Sequence, residues 1–600
     1  MIPKPSRTIT ILGQDPSLRS KDGALLTAQV TIPNEQLSPG PRGYRIQVID
    51  YDASSNRMYA PLDAAEMGTI FEPADPFARR ENARGEIEDA AKYNKRLLDD
   101  PRFHAQNVYA IAMRTLAHFE RALGRRVSWS FGGHQLKVAP HAFAEANAFY
   151  SPREESLLFG YFAGPNGPVC TSLSHDIVAH ETAHALVDGL RPRFMEPSSA
   201  DQAAFHEAFA DIVALLSVFS IREVVQYAVR QAIRQPDAPI MKLSQLTTAA
   251  LQNGILLGLG EQFGETLTGV HGASLRRSAA LKPDKNLLND PQYEESHRRG
   301  EILVAAVLQT FLSTLRARLA TLGKDRRNQL PPQRVEEEGA DIAERMLTMS
   351  IRALDYTPPT DIEFGDFLSA VITSDLEIRP DDSRYNVRQH LLNAFESFGI
   401  QPTSSYNDEA GRWQPPLEHP PSTAKPGKPP KELDYTFVHR DALQRDRDEM
   451  FRFLWDNRNV LGLCDTAYTA IGGVRPCQRV DQDGFTIRET VADYVQILTL
   501  RADELHTIKI PGRKGRIQKP DGLAGWRSVR LLGGGSLIFD EFGRLKYHIR
   551  NSLLSPERQT RRLKHLYESG HFDQAGRRDA SFSQLHMKDL RPELPAATKE

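Results

Sequence analysis

The chain has 600 residues, enough for roughly four domains, and its 75 Lys and Arg residues against 77 Asp and Glu residues leave a net charge of −2. That balance excludes a general electrostatic attraction to nucleic acid or to an anionic membrane surface, so we expect neither partner. Three widely spaced cysteines, Cys170, Cys464 and Cys477, exclude a disulfide framework and are typical of a reducing compartment.

The N-terminal sequence lacks the apolar segment of a signal peptide. The longest apolar run, residues 302–308, is far shorter than the ~20 residues that a membrane span needs. We therefore expect a cytoplasmic protein without a transmembrane segment.

Residues 1–100 are predicted to form a β-rich region. Apolar and polar residues alternate over 26–32 and 44–49, which predicts two strands of a half-buried sheet. The Pro and Gly residues at 38–41 predict the turn that joins them. No motif assigns a role to this region, which is either a small domain or an extension of the next one.

Residues 101–400 form a predominantly helical region with one β-like stretch over 126–163. Apolar residues recur at helical spacing over 107–123, and Gly124 predicts the end of that helix. Residues 302–322 predict a second long helix, mainly buried because its first half is apolar nearly all round.

Eight prolines between residues 402 and 430 predict a semi-extended linker over 401–432. The remainder, 433–600, is interpreted as a C-terminal α+β accessory domain that could bind a protein partner. It has a predicted helix near 440–460, strands within 485–500, and a pair of strands around glycines 533–535. We interpret those glycines as a turn or bulge, not as a phosphate loop.

One pentapeptide in the helical region carries the chemistry, because residues 180–184 read His-Glu-Thr-Ala-His. On a helix, His180 and His184 share one face about one turn apart, so both imidazoles reach one metal ion. Glu181 is then placed to activate a water on that ion. Ser174 as N-cap, with Gly189 and Pro192 as terminators, predicts the bounds of the helix. The alternative is a structural helix that happens to carry two histidines.

A second helix, predicted over 205–216, offers a third ligand. Glu207 and Asp211 lie four residues apart and so share a face, and carboxylates on a helix this apolar need partners to be buried. We predict Glu207 as a zinc ligand, since a catalytic zinc has three protein ligands and one open position. Asp211 is predicted to accept the free N–H of a ligand histidine. The neighbouring His206 is expected to face another side and to be structural.

Other catalytic signatures are absent from the sequence. The metzincin pattern fails because Val187 and Leu190 stand where it needs glycine and histidine. No C-x-x-C pair, phosphate-binding glycine loop or G-x-S-x-G elbow occurs.

The motif pair resembles the gluzincin metallopeptidases, and most closely the thermolysin-like family, over about residues 105–400. His180, His184 and Glu207 match that family's zinc ligands. Glu181 matches its general base, and Asp211 matches the aspartate behind the first histidine. The resemblance implies an α+β fold: a thermolysin-like catalytic unit, with an edge strand in a β-containing N-terminal lobe and a mainly helical C-terminal lobe. An N-terminal β-rich region and a C-terminal α/β domain flank this unit.

Further segments resemble the same family. Asn147 and Ala148 begin a segment similar to its substrate-binding edge strand. Arg276 or Arg277 matches an arginine that contacts the substrate carbonyl and the aspartate. His297 matches the histidine that stabilises the transition state, and His271 is a rival for that role. Residues 364–400 resemble the closing helices.

The sequence also departs from the family. Twenty-two residues separate His184 from Glu207, roughly three more than usual, and the substrate-binding tyrosine has no clear counterpart, Phe194 being nearest. Family members typically have a signal and a pro-region, and neither is evident here. Calcium sites that often accompany the fold are not assignable.

These observations predict an endopeptidase with one Zn²⁺ per chain and a polypeptide substrate. The aminopeptidase motif Gly-x-Met-Glu-Asn is absent. Two alternatives remain: an interaction or scaffold protein with a degenerate or latent metallopeptidase domain, and a zinc hydrolase of a non-peptide amide. Cys170, ten residues before His180, is either a zinc ligand in an inhibited form or a small buried thiol.

Overall fold

The structure is a computed structural model that describes residues 2–164, 167–233, 239–259, 271–403, 411–413, 433–508 and 515–572; the side chains of residues 257, 258, 271–274 and 325 lie outside that description. Helix makes up 45% of the chain and strand 21%, which confirms the predicted mixture of α and β structure.

The helices of the described residues are α1 (Ala90–Leu98), α2 (Pro101–Leu123), α3 (His175–Leu190), α4 (Ala200–Phe219), α5 (Arg222–Ile233), α6 (Thr248–Gly258), α7 (His271–Ala280), α8 (Ser296–Gly323), α9 (Pro332–Ala353), α10 (Phe364–Ile378), α11 (Val387–Ser397), α12 (Arg440–Leu443), α13 (Arg447–Asp456), α14 (Arg458–Leu461) and α15 (Pro556–Glu568). The strands are β1 (Ser6–Leu12), β2 (Thr27–Pro33), β3 (Ile46–Val48), β4 (Tyr51–Asp52), β5 (Arg57–Met58), β6 (Leu136–Phe143), β7 (Ala148–Ser151), β8 (Ser156–Gly164), β9 (Gly167–Cys170), β10 (Met241–Lys242), β11 (Gln329–Leu330), β12 (Tyr468–Val480), β13 (Thr486–Arg501), β14 (Ser528–Phe539) and β15 (Leu545–Asn551).

Both strands predicted in the first 100 residues are present, and residues 38–42 form a turn, but this turn does not join the two strands as predicted. Strand β2 pairs antiparallel with β1, whereas β3 pairs in parallel with β6. Residues 38–41 therefore lie in a loop between two different sheets. Alternation of apolar residues identifies a strand, but it does not identify the neighbour with which that strand pairs.

The central sheet has the order β3-β6-β8-β7, with β9 also paired to β8. Strand β7 is antiparallel to β8 and ends the sheet on that side. Helix α3 packs against β7. The segment that begins at Asn147 and Ala148 thus lies at a sheet edge next to the helix of the histidine motif.

Helices α2 and α8 confirm the two long helices predicted from periodicity. The carboxylate of Asp100 caps the start of α2, and Gly124 ends it with φ 68°, a left-handed conformation that favours glycine. Residues 302–322 lie inside α8.

Helices α4 and α8 are, among the described residues, long and apolar enough to cross a membrane. However, 94% of the most apolar window of α4 and 72% of that of α8 are buried inside the protein. Helix α4 packs against α3, α8 and α9. This burial is consistent with core helices of a soluble protein.

Helix α3 ends at Leu190, between Gly189 and Pro192, as those two residues predict, although Gly189 itself is still helical. A Cβ added at Gly189 would lie 2.0 Å from the carbonyl oxygen of Ser128. The glycine is therefore explained by close contact between α3 and the segment before β6.

We expect Gly189→Ala to lower the free energy of unfolding by about 1–3 kcal/mol, since the new methyl group displaces the Ser128 backbone. Thermal or denaturant unfolding measures this loss. Gly132→Ala is the matched control, because a Cβ there meets nothing within 4 Å. An equal loss in both variants, or no loss at Gly189, would contradict this explanation.

The C-terminal region contains an antiparallel sheet with the order β12-β13-β14-β15. The turn or bulge predicted at glycines 533–535 is wrong, because β14 runs straight through them in unbroken register with β13. A Cβ at Gly534 would lie 2.4 Å from the carbonyl oxygen of Tyr494 and 3.0 Å from Pro359. Close approach to the neighbouring backbone, not a turn, explains the glycine. The helix predicted near 440–460 consists of α12, α13 and α14.

This sheet packs onto the rest of the protein. Val491, Ile538 and Tyr547 belong to the same hydrophobic core as α2, α3 and α4. Of the predicted linker, 401–432, only 401–403 and 411–413 lie within the described residues. Trp413 is buried, and its indole N–H donates to the carbonyl of Tyr356 at 3.0 Å. The C-terminal sheet therefore shares a continuous core with the helical region.

Candidate metal centre

Helices α3 and α4 bring His180, His184 and Glu207 together. The Nε2 atoms of the two histidines are 2.8 Å apart, and each lies 3.7 Å from Oε2 of Glu207. All three side chains are buried. The two histidines meet because they are one helical turn apart, and α4 places the carboxylate opposite them.

Asp211 lies behind the first histidine, in the place that the sequence predicts for a supporting carboxylate. Its Oδ1 is 2.8 Å from Nδ1 of His180. A carboxylate at that nitrogen favours the tautomer with the proton on Nδ1, which leaves the lone pair of Nε2 facing His184 and Glu207.

The prediction that His206 faces another side is wrong. Its Nδ1 is 2.9 Å from Nδ1 of His184, and the two rings are stacked with centroids 4.7 Å apart. His206 directly precedes Glu207 on α4, so both residues border α3, which packs closely there. His206 is thus placed to accept the Nδ1–H of His184 and to turn Nε2 of that ring toward Glu207.

The electrostatics of the centre favour a cation. Burial alone would lower the pKa of His180, but its contacts with Asp211 and Glu207 outweigh burial and raise the pKa well above its ordinary value. Two imidazole nitrogens and one carboxylate oxygen converge, with all ligand atoms within 4.8 Å of one another. Two histidines and a glutamate are a known ligand set for catalytic zinc, so the residues present fit that ion.

Glu181 lies between this centre and the edge strand. It is fully buried, and its Oε2 accepts the backbone N–H of Tyr150 at 2.9 Å. The N–H and C=O groups of one residue point to the same side of an antiparallel strand, and that side alternates along the strand. Ala148 therefore directs its carbonyl to the side on which Tyr150 meets Glu181. The side-chain Oδ1 of Asn147 accepts the N–H of Ala148 at 2.8 Å.

His297 also lies at the centre, at the start of α8. Its Nε2 is 3.7 Å from Oε2 of Glu207, and its Nδ1 is 2.8 Å from Oε1 of Glu295. The side chain is 29% exposed, whereas His180 and His184 are buried. This position supports His297 for the role predicted at the transition state. The side chain of the rival His271 lies outside the described residues.

Arg276 and Arg277 lie on α7, which packs against α3, α4 and α8. Arg276 donates to the carbonyl of Leu256 at 3.2 Å, and Arg277 donates to Oε1 of Glu301 at 2.6 Å. Their predicted contact with substrate and with Asp211 stays a prediction. Phe194 is buried in the core, where it packs against Phe205.

Comparison of the chain with protein-family models finds no match, and no curated protein matches it either.

We expect His206→Ala to weaken zinc binding by about 10- to 100-fold, the usual effect of removing a hydrogen-bond partner of a ligand histidine. Competition with a coloured chelator measures the affinity. His206→Asn should recover most of it, because its Oδ1 replaces the acceptor. His390→Ala, on α11, is the control. Equal affinity in all four proteins would show that His206 does not position His184.

Proposed function

We propose that the chain is a zinc-dependent endopeptidase with a thermolysin-like catalytic unit. The observation that carries the proposal is the close approach of His180, His184 and Glu207 beside Glu181. Glu181 in turn accepts a hydrogen bond from the sheet-edge strand β7. The arrangement combines a ligand set for zinc, a base next to it, and an edge that pairs with an extended chain. A cytoplasmic location is part of the same proposal.

His180, His184 and Glu207 would hold the zinc ion, and Asp211 and His206 would orient the two imidazoles. When bound, zinc supplies a Lewis acid that lowers the pKa of a water toward ~7 and polarises the scissile carbonyl.

Glu181 is the general base of the proposed mechanism. Its carboxylate takes a proton from the attacking water as the oxygen adds to the carbonyl carbon. It then gives that proton to the leaving nitrogen as the C–N bond breaks. The N–H of Tyr150 fixes one carboxylate oxygen, so the base keeps its orientation through both transfers.

His297 stabilises the negative charge that develops on the carbonyl oxygen. Glu295 holds Nδ1 of this ring, which leaves Nε2 directed to the centre near Glu207. Burial raises the pKa of Glu295, but its hydrogen bonds from His297 outweigh burial and lower it to about 2. Glu295 therefore stays ionised at neutral pH and accepts the Nδ1–H of His297. In comparable sites one such donor contributes about 3–4 kcal/mol.

The substrate binds as an additional strand along β7. Ala148 offers its carbonyl on the side that faces the centre, and main-chain hydrogen bonds of this kind bind extended peptides with little dependence on sequence. In a substrate that pairs with β7 at Ala148, the carbonyl to be cleaved comes next to Glu181. This geometry favours an endopeptidase over an enzyme that recognises a free terminus.

Cleavage of unfolded casein by the full chain tests the proposal. We expect cleavage by the zinc-loaded protein, loss of activity after removal of zinc with a chelator, and recovery when zinc is returned. Bound zinc without casein cleavage, but with hydrolysis of small amides, would favour the non-peptide alternative. Bound zinc without any hydrolysis would favour the latent alternative. A chain that binds no zinc would contradict both the peptidase and the non-peptide hydrolase, and would favour a scaffold protein with a degenerate site.

A further inference from the structure

A second cluster of metal-binding side chains lies outside the proposed catalytic centre. His104 on α2, His141 on β6 and Cys170 at the end of β9 bring three ligand atoms within 4.8 Å of one another. Both histidines are buried, and Cys170 is partly buried. No motif spacing connects these residues, because each comes from a different element.

The outer nitrogen of each imidazole is bound to an acceptor. Nε2 of His104 is 3.0 Å from the carbonyl oxygen of Leu98, and Nδ1 of His141 is 2.8 Å from Oδ2 of Asp50. A carbonyl and a carboxylate oxygen both accept hydrogen, so each of these ring nitrogens carries the proton. The lone pairs of the two inner nitrogens, Nδ1 of His104 and Nε2 of His141, are therefore left facing each other.

Those inner nitrogens are only 2.8 Å apart. Two lone pairs at that distance repel each other unless a shared proton or a metal ion lies between them. The same 2.8 Å separation occurs between the Nε2 atoms of His180 and His184. Both pairs thus have the arrangement of ligand histidines, with the outer nitrogen held by the protein and the inner nitrogen directed at a common point.

We propose that His104, His141 and Cys170 bind a second zinc ion. Two imidazole nitrogens and a thiolate are zinc ligands, and the thiolate favours zinc over the hard cations magnesium and calcium. Asp50 behind His141 completes a carboxylate–histidine–metal arrangement. Binding displaces the thiol proton of Cys170 and the proton that the two rings share, so both protons are released to solvent.

The proposed second ion would lie close to the start of α3. Cys170 ends β9 and is followed by one short 3-10 helix, Thr171–Leu173, before α3 begins at His175. The ion would therefore join α2 and β6 to the segment that leads into the helix of His180 and His184. This inference is independent of the proposed peptidase activity, since it rests on a different set of ligands.

Cobalt substitution of the full chain tests the proposal, because only a cobalt–thiolate bond gives the near-ultraviolet charge-transfer band. The first centre has no cysteine, so the band reports on the second site alone. We expect two metal ions per wild-type chain and a thiolate band. Cys170→Ser should lose the band and one ion, whereas His180→Ala should lose one ion and keep the band. Cys464→Ser and Cys477→Ser are the matched cysteine controls, and each should keep the thiolate band and both metal ions.

Failure of this inference and failure of the proposed function give different results. A wild-type chain without the thiolate band overturns the second site, even if one zinc is bound and casein is cleaved. A band that survives in Cys170→Ser also overturns it. A wild-type chain that binds a single ion and shows the thiolate band would leave the second site intact and contradict the peptidase proposal alone.

Discussion

Glu181→Gln is expected to lower kcat/KM for casein by about 10²- to 10⁴-fold, the usual contribution of a general acid–base group. Glutamine has the shape of glutamate, and its Oε1 still accepts the Tyr150 N–H that Glu181 accepts in the structure. It does not take a proton from the attacking water. The loss should therefore appear in kcat with little change in KM, and zinc content should equal that of the wild type.

Glu336→Gln is the matched control for this variant. Glu336 is also a buried glutamate, but it lies on α9, where its Oε2 accepts a hydrogen bond from Gln226 at 3.1 Å. We expect it to keep full activity. Full activity in zinc-loaded Glu181→Gln, or an equal loss in Glu336→Gln, would remove Glu181 from the mechanism.

Asp355→Ala is expected to have the largest effect on stability, a loss of about 3–5 kcal/mol in the free energy of unfolding. Asp355 is buried where the C-terminal sheet meets the helical region. Both of its oxygens accept from Arg125 at 2.7 Å, and Oδ2 also accepts from Arg479. Without the carboxylate, two buried guanidinium groups lose a partner, although Arg479 keeps its ion pair with Glu489.

The pH dependence of this loss identifies its electrostatic cause. Burial raises the pKa of Asp355, but Arg125 and Arg479 outweigh burial and hold it well below its ordinary value. A depressed carboxylate pKa stabilises the folded protein fully above the unfolded value, about 3.9, and this contribution declines as pH falls further. The difference between wild type and Asp355→Ala should therefore be constant near pH 7 and shrink below about pH 4.

An exposed ion pair provides the control for Asp355. Lys285 and Glu396 are 2.9 Å apart with side chains 63% and 55% exposed, so Glu396→Ala should change stability by less than about 0.5 kcal/mol. A similarly small change in Asp355→Ala would contradict the structural role of the buried contacts.

The sequence predicts which side chains of α3 and of α4 lie together, because spacing within a helix fixes which side chains share a face. The spacing of His180 and His184 places them on one helical face without any information on the tertiary fold. The same is true of Glu207 and Asp211. Spacing alone does not predict that the two helices face each other, because that contact is part of the tertiary structure. The structure supplies it as the 3.7 Å separations between Glu207 and the two histidines.

The features that the sequence did not predict depend on contacts between distant segments. Strand β2 has a clear pattern, yet its partner β1 is not identified by that pattern. Helical position alone predicts that His206 faces away from the centre, because it does not show how closely α3 and α4 pack. The cluster of His104, His141 and Cys170 joins three elements whose separations carry no motif. Gly534 resembles a turn residue in sequence, and only the neighbouring backbone explains it as part of a strand.

The most direct measurement is an anomalous difference map of the full chain, from crystals measured on both sides of the zinc absorption edge. We predict a zinc peak at coordination distance from Nε2 of His180, Nε2 of His184 and a carboxylate oxygen of Glu207. Glu181 should lie next to this peak without coordinating it. A zinc-loaded, proteolytically active protein without a peak at these three residues would contradict the proposed catalytic centre.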